Sequence, residues 1–347
     1  MAQLIMKRTV LTDRAKLQMI AALLVLVCFA SFFVGRYPVE PDAVLGIMAA
    51  KLFWLPHAWS GDMETVVMTV RLPRILAALL VGAALSASGA AYQGMFRNPM
   101  VSPGILGVSA GASFGAALAI LLSLDFIWIQ FAAFGFGLAA VAVTYLASTK
   151  LSKSRDTMLV LILAGIIVGT VFTSFVSLIK FLADPLDKLP TITFWLMGGL
   201  STVNLSDIGM IVIPIMAGLI VLILLRWKLN VMSFGDEEAQ ALGVNTGRLR
   251  CVVIFCATLI TASAVSVSGI IGLVGLIVPH LTRLVVGPNY KVLLPASVMM
   301  GAIFLLVVDN FSRILWSVEI PLGILTSIIG APIFMYLLLT SQRGWTS

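Results

Sequence analysis

Arg71 to Gly115 reads RLPRILAALLVGAALSASGAAYQGMFRNPMVSPGILGVSAGASFG, and the fold class follows from it. Two arginines flank a proline, and a long apolar run crowded with Gly, Ala and Ser follows. The run breaks at Asn98-Pro99 and Pro103-Gly104, where proline restricts the backbone of the residue before it and ends a helix. A second Gly-rich helix then begins. Small residues four apart, at Gly82/Ser86 and Gly107/Gly111/Gly115, let helix backbones approach closely where lipid removes the hydrophobic drive for association. Such spacing alone fits any tightly packed membrane helix pair.

Composition places the whole chain in a membrane independently of that stretch. Of 347 residues 60% are hydrophobic and only 11% charged, with mean hydropathy +1.10; a soluble domain carries about 25% charged residues. A helix needs about 20 apolar residues to cross the hydrocarbon. About ten segments qualify, at 17–35, 72–92, 104–122, 127–148, 158–181, 207–226, 251–268, 271–286, 292–311 and 321–340. The eighth is short, and Gly269, Gly272 and Gly275 blur its junction with the seventh. The expectation is an all-α polytopic protein of one membrane domain, residues 1–347, with both termini cytoplasmic. Fifteen of the 22 Lys and Arg residues then fall inside, as the positive-inside rule requires. The net charge of +7 is therefore explained without nucleic acid. Trp54, Trp59, Trp128, Trp195, Trp227, Tyr290 and Trp316 fall near segment ends, where interfacial aromatics belong.

The first segment has a basic start, but it is too long for most signal-peptide cores and no A-x-A-like cleavage site follows. We read it as retained. Cys28, Cys251 and Cys256 lie inside segments without paired spacing and are expected as buried apolar side chains, not a disulfide or metal set. His57 and His280 are isolated, so no metal site is expected. Outside the membrane, residues 36–71 mix prolines and tryptophans, and Thr191 to Gly199 (TITFWLMGG) suggests a short helix lying at the membrane surface or packed on the bundle.

Three places can carry function. The cytoplasmic loop Leu229 to Arg250 (LNVMSFGDEEAQALGVNTGRLR) holds the acidic run Asp236, Glu237 and Glu238. Acids favour a helix's first turn, Ala239, Ala241 and Leu242 form a small apolar face, and Gly243 supplies the stop. Such an element is either a solvated connector or a plug for a groove on a soluble partner. Outside, Arg71, Arg74 and Arg313 defy the charge bias. They are available to carboxylates of a partner, or to headgroups, or to Asp309 one turn from Arg313. The fifth segment carries Thr170, Thr173, Ser174 and Ser177, which either line a weakly polar path or bond back to their own helix. The scarcity of ionisable residues at mid-membrane argues against an ion-coupled carrier, which is the alternative class. No G-x-x-x-x-G-K-[ST] loop occurs and no Gly precedes a Lys, so nothing in this chain can cradle ATP phosphates.

RLPR, SGAAYQGMFRNP, the following P-G-x-L-G-V-S-x-G-A, and E-E-A-x-A-L-G-V-N resemble the permease subunits of ATP-driven importers for iron–siderophores, haem and vitamin B12. The resemblance covers nearly the whole chain. It implies a non-enzymatic permease working as a homodimer, or paired with a related permease. Two ATPase subunits, which carry ATP and Mg, and an extracytoplasmic binding protein would complete the importer. Residues Asp236 to Gly243 would engage the ATPase, and Arg71, Arg74 and Arg313 would dock the binding protein, so that charge reversal at Arg74 weakens docking. Segments five and ten would surround the pore, with Met100, Thr157 and Met158 at the cytoplasmic gate. A ferric siderophore is the first cargo expected, haem and cobalamin next, and molybdate-type oxyanions behind them.

Overall fold

The computed structural model describes residues 12–53, 59–151 and 157–341. Trp54, Pro56 and His57, and part of the basic residues used for orientation, lie outside them. Fifteen α-helices follow in order: α1 Asp13–Ser31, α2 Pro41–Phe53, α3 Gly61–Thr65, α4 Leu72–Met95, α5 Val108–Leu121, α6 Phe126–Leu151, α7 Thr157–Leu182 and α8 Lys188–Met197. Then come α9 Leu205–Leu224, α10 Arg226–Met232, α11 Asp236–Ala241, α12 Thr246–Ser268, α13 Val274–Val286, α14 Tyr290–Ile314 and α15 Leu322–Ser341. No strand occurs among the described residues. Seven helical stretches are long and apolar enough to cross a membrane, and α5, α13 and α15 are shorter apolar helices.

Each expected segment coincides with a helix, and the differences have local causes. The second segment starts earlier than position 72: Gly61–Met95 is one continuous helical stretch, joined by a π-helical turn at Val66–Arg71. Thus the described part of the stretch 36–71 is largely helical. The third segment is divided by a 3₁₀ turn at Pro103–Leu106 and by Gly107, whose φ of +90° lies in the left-handed region that glycine adopts without strain. Helix starts follow side-chain caps. Asn204 and Asp207 form a capping box on α9, Asn245 accepts the Arg248 N–H on α12, and Asn289 accepts the Lys291 N–H on α14.

Helix α4 is the core: it packs on α9, α12, α13 and α14. Its small residues permit this, since Gly82 meets the Gly301 backbone of α14 and Gly89 meets Gly275 of α13. Gly111 and Gly115 of α5 likewise seat against Phe136 and Ala132 of α6. By contrast α7 and α1 leave most of their apolar surface exposed. Tyr290 is buried against the bundle and is not interfacial, while Cys251 is exposed and not buried. Trp128, Trp227 and Trp316 are exposed near helix ends.

Candidate functional site

The loop between α9 and α12 is mostly structured. Helix α10 continues from α9, and the chain then turns at Gly235 (φ +147°) into α11. Asp236 pairs with Arg250 at the root of α12, so one acid of the run braces the loop. Glu237, Glu238, Ala241, Leu242 and Gly243 are exposed, while Ala239 is buried and seats the helix. Gly243 has φ +77°, its N–H donates to the Gln240 carbonyl at 2.9 Å, and the Val244 N–H donates to the Ala239 carbonyl at 2.9 Å. This double bond pattern caps the C-terminus in a Schellman arrangement, with Val244 buried beneath it. The result is a short rigid projection presenting two carboxylates between Phe234 (69% exposed) and Leu242 (62% exposed). Phe234 was not singled out from the sequence. A lone Phe beside Gly gives no periodic signal.

The three arginines of the second candidate place are engaged inside the chain. Arg74 and Arg313 are 5% exposed and both grip Asp309, which is fully buried. Arg74 Nε donates to Asp309 Oδ1 at 2.8 Å, and its Nη1 reaches the Glu319 carboxylate at 2.8 and 2.9 Å. Arg313 donates to Asp309 Oδ2 through Nε at 2.9 Å and also through Nη2. Arg71 is buried as well, donating to the backbone carbonyls of Phe32 and Tyr37 (2.6 Å for the latter). The guanidinium groups therefore satisfy an internal network, the alternative that the sequence left open through Asp309. The physical reason is that a buried cation must find a partner or leave, and Asp309 and Glu319 supply one inside the chain.

The four candidate hydroxyls of α7 bond back one turn. Thr170, Thr173, Ser174 and Ser177 donate to the carbonyls of Ile166, Gly169, Thr170 and Thr173 at 2.8 to 3.1 Å. They also line one concave face of about 400 Å³, shared with Gly104, Ile105, Gly107 and Ala110. The bonding back is thus observed, and the same residues share an open concavity. With each proton directed to the helix, these four oxygens keep lone pairs that can accept hydrogen bonds from the cavity. Replacing Thr170 and Thr173 by valine should change folding stability by no more than about 1 kcal/mol, measured by thermal unfolding of the purified permease. A larger loss would mean the hydroxyls hold the fold. Met100 is exposed on the turn between α4 and Pro103, and Met158 is half-buried in the first turn of α7; neither lines this cavity. The Thr157 side chain lies outside the described residues. His280 has a buried Nδ1 without a hydrogen-bond partner among the described residues.

The model of the FecCD transport family matches residues 23–340. This chain belongs to that family. The molybdate import system permease protein MolB of Haemophilus influenzae is 41% identical over 93% of this chain and 94% of its own length. The cobalamin import system permease protein BtuC of Halobacterium salinarum is 41% identical over 86% of this chain and 79% of its own. A solved metal-chelate type ABC transporter, in an inward-facing conformation, superposes with a TM-score of 0.83 at 40% identity, covering 93% of this chain and 98% of that one. The chain is thus a membrane permease subunit of an ABC importer, not an enzyme, and its ATPase is a separate subunit. Membership sets aside the ion-gradient carrier. It leaves the cargo open, because relatives with similar identity are named for different substrates.

Proposed function

We propose that two copies of this chain form a pore of about ten spans each, with both termini cytoplasmic. That pore moves a chelated metal compound inward from an extracytoplasmic binding protein, a ferric siderophore first and haem or cobalamin next. The molybdate relative makes the oxyanion a real competitor. Two ATPase subunits would seat on the α11 projections. The single observation that carries this reading is the geometry of Phe234 to Val244: a capped, braced helix with Glu237, Glu238 and Leu242 outermost. Acids and an apolar tip on a rigid arm suit a groove, whereas a mere connector needs neither the Asp236–Arg250 brace nor the double cap. The largely exposed α7, with its acceptor-lined face, supports a pore completed by a second copy. Docking of the binding protein on the outer face would have to use groups around Arg71, Arg74 and Arg313, since the guanidinium groups are engaged within the chain.

The test is co-purification of the tagged permease from its own membranes. An ATPase subunit should accompany it, and Glu237→Ala/Glu238→Ala should lower its recovery at least about tenfold, about 1.4 kcal/mol in affinity. Equal recovery from wild type and variant would end the coupling role of these acids. The accompanying binding protein, titrated with ferric siderophores, haemin, cobalamin and molybdate, would identify the cargo.

A further inference from the structure

Tyr290, expected at the membrane interface, is buried where three elements meet, and its contacts form a path. Its backbone N–H donates to Asn230 Oδ1 on α10 at 3.0 Å, and α10 packs directly on α11. Its ring lies on Gly94 in the last turn of α4: a Cβ there would stand 2.7 Å from Tyr290 Cζ. Arg283 Nη2, on α13, donates to Tyr290 Oη and to Gln93 Oε1, each at 3.3 Å. Gln93 Nε2 donates to the Leu276 carbonyl at 3.0 Å. The Gln93 carbonyl accepts the Asn98 N–H at 3.1 Å, and Asn98 Oδ1 accepts the Met100 N–H at 2.9 Å. These hydrogen bonds, linked through the bodies of Tyr290, Gln93 and Asn98, therefore join the arm bearing α11 to the turn bearing Met100.

We infer that Asn230, Tyr290, Arg283 and Gln93 are positioning residues that transmit movement of the coupling helix to the 96–103 turn. The inference rests on the proposed coupling role of α11. The character of the bonds separates this chain from a scaffold. Arg74 is locked by two carboxylates at 2.8 to 2.9 Å. Arg283 has no carboxylate partner among the described residues and holds two neutral oxygens at the long end of the hydrogen-bond range. Such bonds are cheap to exchange, and half-buried Arg283 can trade one oxygen for the other or for water without stranding an ion pair. Gly94 lets the Tyr290 ring lie directly on the α4 backbone, so a shift of the α14 end moves the helix that leads into the turn.

The experiment uses the permease reconstituted with its ATPase subunit in proteoliposomes. Cys28, Cys251 and Cys256 are replaced by alanine and Met100→Cys serves as reporter. The maleimide labelling rate is read with and without ATP plus vanadate. We expect the parent rate to change at least about fivefold, the lower end of typical coupling between sites. Tyr290→Phe and Gln93→Met should each reduce that change to under about twofold, with ATPase co-purification retained. Tyr290→Phe deletes one oxygen and leaves the ring on Gly94, so its folding is not at stake. Adding Arg283→Met to Tyr290→Phe should have no further effect, because links of one path are non-additive. A full ATP response in both single variants overturns the inference. So does a parent whose Met100 labelling ignores ATP, and so do additive effects. Failure of the coupling reading is distinguishable: there Glu237→Ala/Glu238→Ala keeps the ATPase, whatever the relay variants do.

Discussion

Asp309→Ala is expected to abolish the folded permease. The carboxylate is fully buried and binds two guanidinium groups at once, so its removal strands Arg74 and Arg313 inside the bundle with only Glu319 between them. The four side chains are charge-balanced, two cations against two anions, and the variant is left with one excess positive charge. Breaking a buried ion pair from one side costs about 3–5 kcal/mol, a large part of any domain's stability. The expected result is loss of the monodisperse gel-filtration peak, with residual protein unfolding far below the wild-type midpoint. Glu319→Gln should cost about 1 kcal/mol or less, because that side chain is 35% exposed and keeps an acceptor.

A compensating variant separates charge from shape. Asp309→Ala combined with Arg313→Met removes one charge of each sign and leaves the Arg74–Glu319 pair intact, so it should recover much of the yield. Failure of that rescue, with Asp309→Ala alone well folded, would sink the network as a structural element. The same reasoning revises Arg74. Charge reversal there would gather three carboxylates in a buried site and unfold the chain before docking could be measured.

These arginines show where sequence reading runs out. Asp309 is visible from Arg313 at helical spacing, but Glu319 meets Arg74 across 245 positions, and no local pattern announces that contact. An arginine on the outer side therefore reads as available when it is engaged. Tyr290 follows Pro288-Asn289 at a segment start and reads as interfacial for the same reason; its burial comes from Gly94 and Arg283, distant in sequence. The π-helical join at Val66–Arg71 was also illegible, since its residues lack turn signals. What was legible depended on local chemistry. The α11 projection followed from an acidic first turn and a terminal glycine, and the back-bonding of the α7 hydroxyls from the common use of Ser and Thr in membrane helices. The small-residue steps in α4 and α5 told where backbones would touch, though not which helix would be touched.

The second large effect is expected at such a contact. Gly89 of α4 faces Gly275 of α13 so closely that a Cβ would stand 2.8 Å from Gly275 Cα and nearer still to its carbonyl. The opposing atoms are backbone, which cannot change rotamer. Gly275 is itself hemmed in, since a Cβ built there would stand 2.4 Å from Pro103 Cγ and 2.6 Å from the Leu85 carbonyl of α4. Overpacking costs about 1–3 kcal/mol where side chains can adjust, and here they cannot. Gly89→Ala should therefore lower the unfolding midpoint strongly and Gly89→Leu should give no folded protein. Gly209 in α9 is the control: nothing lies within 4 Å of its would-be Cβ. Gly209→Ala should be tolerated and should gain about 0.5–1 kcal/mol from helix propensity. If Gly89→Leu folds with a normal midpoint, α4 and α13 do not touch in the working protein. The α4–α13–turn sandwich, on which any route from the coupling arm to Met100 depends, would then fall with it.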